Sequence, residues 1–251
     1  MIIIKSKHEI EKMRKAGRLA AGLLAYVEPF VKKDTSTLRL NDLCEKFTKE
    51  HGAISAPLNY HGFPKSICTS INDVVCHGIP SAKAILKDGD IVNVDVTVIL
   101  DGFHGDTSKT FLIGDVKSET RKLVSSTEEA MIRGINAVKP GEYLYEVGRE
   151  IEQFIKKLGY SIVTELGGHG IGRGFHEDPM VLHHYSLQNR IKLKEGMTFT
   201  IEPMINMGTS SKVVISPDDG WTVRTKDGSL SAQFEHTILV TSDGAEILTK
   251  L

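Results

Sequence analysis

Cysteine is scarce in this sequence, and its placement excludes two common ways of stabilising a small domain. Only three cysteines are present, Cys44, Cys68 and Cys76, and no two of them have CxxC spacing. An odd number of cysteines without that spacing argues against a disulfide framework and against a zinc finger. We therefore expect reduced thiols that pack as small buried residues, and a cytoplasmic location for the protein.

The sequence also lacks a net charge and long apolar runs. Its 31 Lys and Arg residues balance 32 Asp and Glu residues, which gives no support for bulk electrostatic binding of DNA or of an anionic membrane. The apolar run at Ile2–Ile4 is too short for a signal peptide, and no later stretch approaches the length that spans a bilayer. No Ser/Gly linker divides the chain, so we expect residues 1–251 to form a single domain. We also expect a monomer.

Hydrophobic periodicity predicts four helices and a larger number of short strands. Ser6 and Glu9 fit a capping box at the start of the first helix. The predicted helices cover 7–28, 37–51, 118–138 and 144–158. Strands are predicted over 66–70, 74–76, 161–164, 198–205, 213–215, 221–225 and 231–240.

The stretch 91–113 predicts a β-hairpin that carries two acidic residues on one face. Its Asp101-Gly102 pair is a typical two-residue turn, and this register places Thr97 opposite Asp106. Asp95 and Asp106 then lie on the same face as diagonal neighbours, roughly 7 Å apart or less at Cβ. Carboxylates this close repel each other unless a proton or a cation lies between them. A solvated outer face is the alternative interpretation.

The order of the predicted elements repeats. Helix, helix, strands and an antiparallel finish occur over roughly 7–113 and again over roughly 118–240. Two such units predict an α+β fold, with pseudo-twofold related halves, antiparallel sheets inside and helices outside. The predicted strands 198–205 and 231–240 would be the counterparts of the first hairpin.

Those two later strands supply a second pair of carboxylates, Glu202 and Glu235. Any single acid on a strand is more often solvent-facing than a ligand. Four carboxylates facing one cleft, however, would destabilise it without cations. Thr97, opposite Asp106, is a candidate for orienting one of these carboxylates.

A glycine-rich segment, 167–176, adds the imidazoles of His169 and His176. It matches neither GxGxxG nor a P-loop, so a phosphate cradle is not supported. One or two histidines with four carboxylates suit a first-row divalent ion such as Mn²⁺, Fe²⁺, Co²⁺ or Zn²⁺, and this many ligands suits two bridged ions. A structural histidine is the alternative for His169. His77, in a loop after a strand, is a candidate for hydrogen bonding to the reacting group.

These motifs resemble the type I methionine aminopeptidases, in their short bacterial form, over essentially the whole chain. The acid-containing segments alone would also suit proline-specific aminopeptidases of the same fold. The segments that carry the resemblance are Val75–Pro80, Asn93–Thr97, Gly102–Ser108, Gly168–Gly172, Thr200–Pro203 and Gln233–Thr237.

The resemblance implies a pita-bread fold around a dinuclear metal centre and assigns roles to individual residues. In the family, the residue matching Glu202 also moves a proton, and those matching His77 and His176 contact the scissile peptide. The implied metal ligands are Asp95, Asp106, His169, Glu202 and Glu235. The implied pocket for the methionine side chain consists of Tyr60, Phe63, Cys68, Phe175 and Trp221.

The implied function is removal of the N-terminal methionine from peptides and nascent proteins with a small second residue. The resemblance implies hydrolysis by hydroxide attack at a centre of two divalent ions. It also implies that the nascent proteins are met at the ribosome. A proline-specific aminopeptidase or dipeptidase is one alternative, and a non-catalytic pita-bread binding protein is another. Basic residues around the first helix suit contact with ribosomal RNA, although a solvated helix face is more common; they are Lys5, Lys7, Lys12, Arg14, Lys15 and Arg18.

Overall fold

The computed structural model describes residues 1–251. Its α-helices are α1 (Lys7–Val27), α2 (Thr37–Glu50), α3 (Ser118–Asn136) and α4 (Tyr145–Lys157). The strands of the first half are β1 (Ile54–Ser55), β2 (Cys68–Ile71), β3 (Val74–Cys76), β4 (Ile91–Leu100) and β5 (Phe103–Leu112). Those of the second half are β6 (Ser161–Ile162), β7 (Gly168–Gly170), β8 (Glu177–Val181), β9 (Thr198–Ile201), β10 (Met204–Asn206), β11 (Val213–Ile215), β12 (Val223–Thr225), β13 (Ser231–Gln233), β14 (Glu235–Val240) and β15 (Ala245–Ile247).

Local signals set the boundaries of the helices, as predicted. The Ser6 side chain accepts a hydrogen bond from the Glu9 amide, and the Glu9 carboxylate accepts one from the Ser6 amide, which completes the capping box. Helix α1 ends before Pro29, and the chain leaves α2 through Gly52 at φ +67°. A left-handed backbone costs glycine little, so Gly52 is a natural helix stop.

The hairpin of β4 and β5 has the predicted register. Leu100 pairs with Phe103, and Thr97 pairs with Asp106. Both turn residues have positive φ, 51° at Asp101 and 77° at Gly102, as a type I′ turn requires. The turn therefore fixes which side chains share a face along the whole hairpin.

The central sheet has nine strands, and the two halves of the chain meet in its middle. Its main order is β1-β4-β5-β14-β9-β7-β8, with β2 beside β4 and β15 beside β14. The pairing of β5 with β14 joins the halves. Helix α1 packs on β4 and β5, while α3 packs on β9, β10 and β13. One apolar cluster lies under α1 and α2 and another under α3 and α4, so the predicted α+β arrangement with outer helices is confirmed.

Two predicted strands were wrong in one respect, because each is broken at or next to a carboxylate residue. The predicted strand 198–205 stops at Ile201 and resumes at Met204, since Pro203 has no N–H for a ladder hydrogen bond. The predicted strand 231–240 is interrupted at Phe234. The pieces on one side of the breaks, β10 and β13, pair with each other in a separate small sheet.

The glycine-rich segment contains β7 and is followed by β8, and the sequence predicted neither strand. Its few side chains give no alternation, yet β7 pairs with both β8 and β9. Lys5, grouped above with the basic residues of the first helix, precedes α1 and is buried. No helix has the length and apolar composition needed to cross a membrane.

Candidate metal centre

Every residue that the sequence predicted for the metal centre or the substrate site lies on one cavity of about 650 Å³. The cavity opens beside exposed residues of the 176–180 segment and is closed by buried residues such as Phe63. The predicted residues that line it are Tyr60, Phe63, Cys68, His77, Asp95, Thr97, Asp106, His169, Phe175, His176, Glu202, Trp221 and Glu235.

Strand register explains how residues distant in sequence come together. Ser108 of β5 pairs with Asp95 on one side and with Glu235 of β14 on the other. These three residues form a row across the central sheet. Glu202 extends the row, because the preceding residue of β9 pairs with His236. One row thus brings a carboxylate from β4, one from β14 and one from the end of β9 to the same face.

A second row, two residues along the strands, holds Asp106 in place. Thr97 Oγ1 donates a hydrogen bond to Asp106 Oδ1 at 2.7 Å. On the other side, the Asp106 amide donates to Thr237 Oγ1 at 3.2 Å, and that hydroxyl donates to the Asp106 carbonyl at 2.8 Å. Thr237 pairs in turn with Thr200 of β9. The Asp106 side chain is therefore both buried and fixed in direction.

The imidazole of His169 presents an unprotonated nitrogen to these acids. Its Nδ1 donates to the Gly170 carbonyl at 3.0 Å, so in the neutral ring the lone pair is on Nε2. That Nε2 lies 3.7 Å from Asp106 Oδ2 and 3.7 Å from Glu202 Oε1, too far for hydrogen bonds. Burial lowers the pKa of His169 to about 3, which keeps the ring neutral. Ligand atoms of Asp106, His169 and Glu235 all lie within 4.8 Å of one another.

The acids of the cavity have no permanently charged cation beside them to balance their charges. Neither lysine nor arginine lines the cavity. Burial raises the pKa of Asp95 to about 7 and that of Glu202 to about 8. Burial and mutual repulsion raise the pKa values of Asp106 and Glu235 well above their usual range. Four carboxylates and a nitrogen lone pair facing one space, without a counter-ion from the protein, fit a site for divalent cations.

Glu202 is held by three partners, none of which was among the site residues predicted from the sequence. Thr200 Oγ1 donates to Glu202 Oε1 at 2.7 Å, and Gln233 Nε2 donates to Oε2 at 3.1 Å. The Glu202 amide donates to Nε2 of His183 at 3.0 Å. Gln233 could have been found, because it alternates with Glu235. His183 carries no such signal, since only tertiary packing brings it to Glu202.

Two further histidines line the cavity beside the acids. His176 Nδ1 lies 2.8 Å from the Tyr60 hydroxyl, and its ring centroid is 4.1 Å from that of His169. His77 has φ +56°, an uncommon conformation for a non-glycine residue and one that concentrates at functional sites. Burial lowers the pKa of His176 to about 4 and also lowers that of His77. Both rings are therefore neutral near pH 7.

The closed end of the cavity is largely aromatic and apolar. The ring centroids of Phe63 and Trp221 are 5.3 Å apart, and those of Tyr60 and Phe175 are 4.9 Å apart. Cys68 pairs with Asp95 across β2 and β4, so this end adjoins the carboxylates directly. A medium-sized apolar side chain could occupy it while the adjoining backbone lies at the acids.

Comparison with known proteins agrees with this site. The model of metallopeptidase family M24 matches residues 11–242. The methionine aminopeptidase of Escherichia coli K12 is 55% identical over 249 residues, which is 99% of this chain and 94% of the relative. A crystal structure of methionine aminopeptidase from Rickettsia prowazekii superposes with a TM-score of 0.97 at 54% identity, covering 100% of both chains. Prolidase from Pyrococcus furiosus has the same fold at a TM-score of 0.79 and 26% identity, and this chain covers only 66% of it.

The fold and the carboxylate–histidine cavity are those of a pita-bread metallopeptidase. The chain belongs to metallopeptidase family M24 and, within it, to the methionine aminopeptidases. The family resemblance inferred from the sequence motifs, the pita-bread fold and the enzymatic class are thereby confirmed.

Proposed function

We propose that this metallopeptidase removes the N-terminal methionine from peptides and nascent proteins whose second residue is small. The observation that carries the proposal is one cavity in which unbalanced carboxylates adjoin a closed aromatic pocket. A first residue whose side chain lies in that pocket can present its free α-amine and its first peptide bond to the carboxylates. Methionine suits an aromatic pocket because its thioether is unbranched and polarisable.

We propose that Asp95, Asp106, His169, Glu202 and Glu235 hold two divalent first-row ions. The number of carboxylates supports two ions rather than one, because each ion takes only part of such a ligand set. When bound, the ions would supply an activated water and positive charge beside the scissile carbonyl. Co²⁺, Mn²⁺, Fe²⁺ and Zn²⁺ all suit these ligands.

The proposed role of Glu202 is to move a proton. Its two oxygens are fixed by Thr200 and Gln233, so its carboxylate points in a defined direction. From there it can accept a proton from the attacking water and deliver it to the leaving nitrogen. Because two donors already hold the carboxylate, little free energy is needed to reorient it during proton transfer.

The proposed role of His176 is to donate a hydrogen bond to the substrate carbonyl oxygen. A neutral imidazole has one N–H, so the tautomer decides which nitrogen can donate. If the Tyr60 hydroxyl donates to Nδ1, the proton of His176 is on Nε2 and available to the oxyanion. His77, near Trp221 with ring centroids 6.2 Å apart, is the proposed partner of the scissile nitrogen.

Hydrolysis of a peptide series by the metal-reconstituted protein tests this function. Met-Ala-Ser should be cleaved rapidly, Met-Leu-Ser slowly, and Xaa-Pro peptides hardly at all. Elemental analysis should find first-row metal approaching two ions per chain. Rapid cleavage of Xaa-Pro peptides with inert Met-Ala-Ser would instead support the proline-specific alternative.

We further propose a cytoplasmic monomer that forms a single catalytic domain and meets its substrates at the ribosome. The three cysteines are free and buried, which suits a reducing compartment. The catalytic cavity is lined by both predicted halves, from Tyr60 in the first to Glu235 in the second, which supports treating the chain as one domain. Light scattering of the purified protein tests whether it is a monomer. Co-sedimentation with ribosomes tests whether it meets its substrates there.

A further inference from the structure

A buried ion pair lies behind the segment that carries His176. Lys5 Nζ is 2.6 Å from Glu177 Oε2, and the side chains are only 3% and 9% exposed. The Lys5 backbone is fixed as well, because its amide donates to the Gly196 carbonyl at 2.9 Å. The lysine belongs to the segment before α1, 172 positions away in sequence from its partner.

The same pair holds the turn that leads into His176. The second carboxylate oxygen of Glu177, Oε1, accepts a hydrogen bond from the Gly174 amide at 2.9 Å. Gly172 packs so tightly on the lysine that a Cβ there would lie 2.5 Å from Lys5 Cε. The turn is closed on itself by the Gly172 amide, which donates to the Gly174 carbonyl at 3.1 Å.

His104 holds the opposite side of this turn. Its Nδ1 and its backbone amide both donate to the Gly172 carbonyl, at 3.0 and 2.9 Å. Its ring stacks on Phe175 with centroids 5.5 Å apart. The turn therefore lies between a β5 residue on one side and the Lys5–Glu177 pair on the other, and the next residues along it, Phe175 and His176, line the cavity.

A gain in the free energy of unfolding is a weak explanation for the presence of the buried Lys5–Glu177 pair. Burying two charges costs about as much as their attraction returns, and apolar replacements are often neutral or stabilising. What a buried, hydrogen-bonded pair does supply is one defined arrangement of its partners. Here that arrangement includes the Gly174 amide, two residues before His176.

We propose that Lys5 and Glu177 are positioning residues that hold the 172–177 turn so that His176 meets the substrate carbonyl. This inference rests on the proposed function, because it assigns a reason for the placement of His176. Lys5 does not line the cavity, and Glu177, which does, uses its two carboxylate oxygens to bind Lys5 and the Gly174 amide. Neither residue belongs to the proposed set of metal ligands. The effect should therefore appear in turnover rather than in metal binding.

The kinetic test compares Lys5→Met with Arg14→Met in the full-length, metal-reconstituted protein. Arg14 also pairs with a carboxylate, that of Glu246 at 2.6 Å, away from the cavity. Lys5→Met should lower kcat on Met-Ala-Ser roughly 10-fold or more, since small misplacements of catalytic groups are costly. KM and metal affinity should stay within about twofold. Arg14→Met should leave kcat unchanged, and equal losses in the two variants would overturn the proposal.

A double variant, Lys5→Met/Glu177→Leu, separates positioning from stability. It removes both charges and the acceptor for Gly174, so no charge is left buried without a partner. Its melting temperature should exceed that of Lys5→Met, while kcat stays low. Recovery of kcat together with the melting temperature would show that the pair acts only on stability.

Hydrogen exchange at the Gly174 amide gives a readout that needs no activity. In the metal-free state, the hydrogen of this amide should exchange about 10-fold faster in Lys5→Met and in Lys5→Met/Glu177→Leu than in the natural sequence. Exchange at the amides of α3 should not change. If the natural sequence does not cleave Met-Ala-Ser, the proposed function fails, while the exchange experiment still tests whether the Lys5–Glu177 pair holds the 172–177 turn. If Gly174 exchange rises and kcat does not fall, the positioning role is wrong.

Discussion

Thr97 Oγ1 donates its hydrogen to Asp106 Oδ1 across 2.7 Å, between two residues that face each other on β4 and β5. The bond leaves Oδ2 as the oxygen nearer to His169, 3.7 Å from its Nε2. A hydroxyl from one strand thus sets which oxygen of the neighbouring acid is free to bind a cation. Partners of this kind orient metal ligands and strengthen metal binding.

Replacement of that hydroxyl should weaken metal binding without unfolding the protein. Thr97→Val keeps the shape but removes the donor, and we expect metal affinity to fall roughly 10–100-fold. Calorimetric titration with Mn²⁺ measures the change, and Thr97→Ser, which keeps a hydroxyl, is the control. Equal affinities for the valine and threonine proteins would show that the bond has no part in metal binding.

Loss of the Asp106 carboxylate should abolish turnover and leave a cooperative fold. Asp106→Asn removes a charge from a place where burial and the charges of Asp95 and Glu202 raise its pKa. The metal-free variant should therefore be at least as stable near neutral pH as the unchanged protein, as thermal unfolding can show. Asp101→Asn, in the exposed turn of the same hairpin, is the matched control and should keep full activity. Near-normal turnover in Asp106→Asn would contradict the ligand assignment.

The stabilisation by metal should increase with pH. The pKa values of Asp95 and Glu202 are raised by burial to about 7 and about 8, so in the metal-free fold these acids keep protons that the unfolded chain has already released. Their contribution to the free energy of unfolding is present below about pH 4 and is lost as the pH rises through those values. Cations compete with the same protons.

Addition of Mn²⁺ should consequently raise the melting temperature more at about pH 8.5 than at about pH 5.5. Comparing scans with and without metal at each pH removes contributions from groups outside the site. Glu202→Gln should reduce the pH dependence of the metal effect. An equal rise at both pH values would mean that these acids do not bind the cation.

The aromatic end of the cavity should set the preference for methionine. Trp221→Leu removes one wall, which is packed on Phe63 at 5.3 Å between centroids. The half-buried position of Trp221 limits the cost to stability. We expect kcat/KM on Met-Ala-Ser to fall about 10–200-fold, the range for lost side-chain contacts in a pocket. Metal affinity should not change, and an unaltered kcat/KM would place the methionine side chain elsewhere.

The sequence could predict the elements whose signals are local. The capping box at Ser6 and the Asp101-Gly102 turn depend on residues a few positions apart, so helix starts and the register of β4 and β5 were correct. Register in turn placed Asp95, Thr97 and Asp106 on one face. Alternation along the later strands is also a local signal. It identified Glu202 and Glu235 as candidate ligands without any knowledge of how the strands are arranged in space.

Only the tertiary structure decided where the strands break and what surrounds the acids. The breaks at Pro203 and Phe234 let strands change sheets, which depends on their neighbours rather than on alternation. His183 reaches the Glu202 amide, and Lys5 reaches Glu177, through contacts that no spacing rule connects. The strand of His169 was missed because glycines leave no pattern of side chains to interpret.

The sequence by itself thus determined which carboxylates share a strand face, because a strand alternates with a period of two residues and a tight turn fixes its register. The tertiary structure decided that the two pairs of acids meet, through the pairing of β5 with β14. It also decided that they meet without a lysine or an arginine beside them. Burial and mutual repulsion are properties of that packed arrangement, and both favour the proposed binding of cations in the cavity.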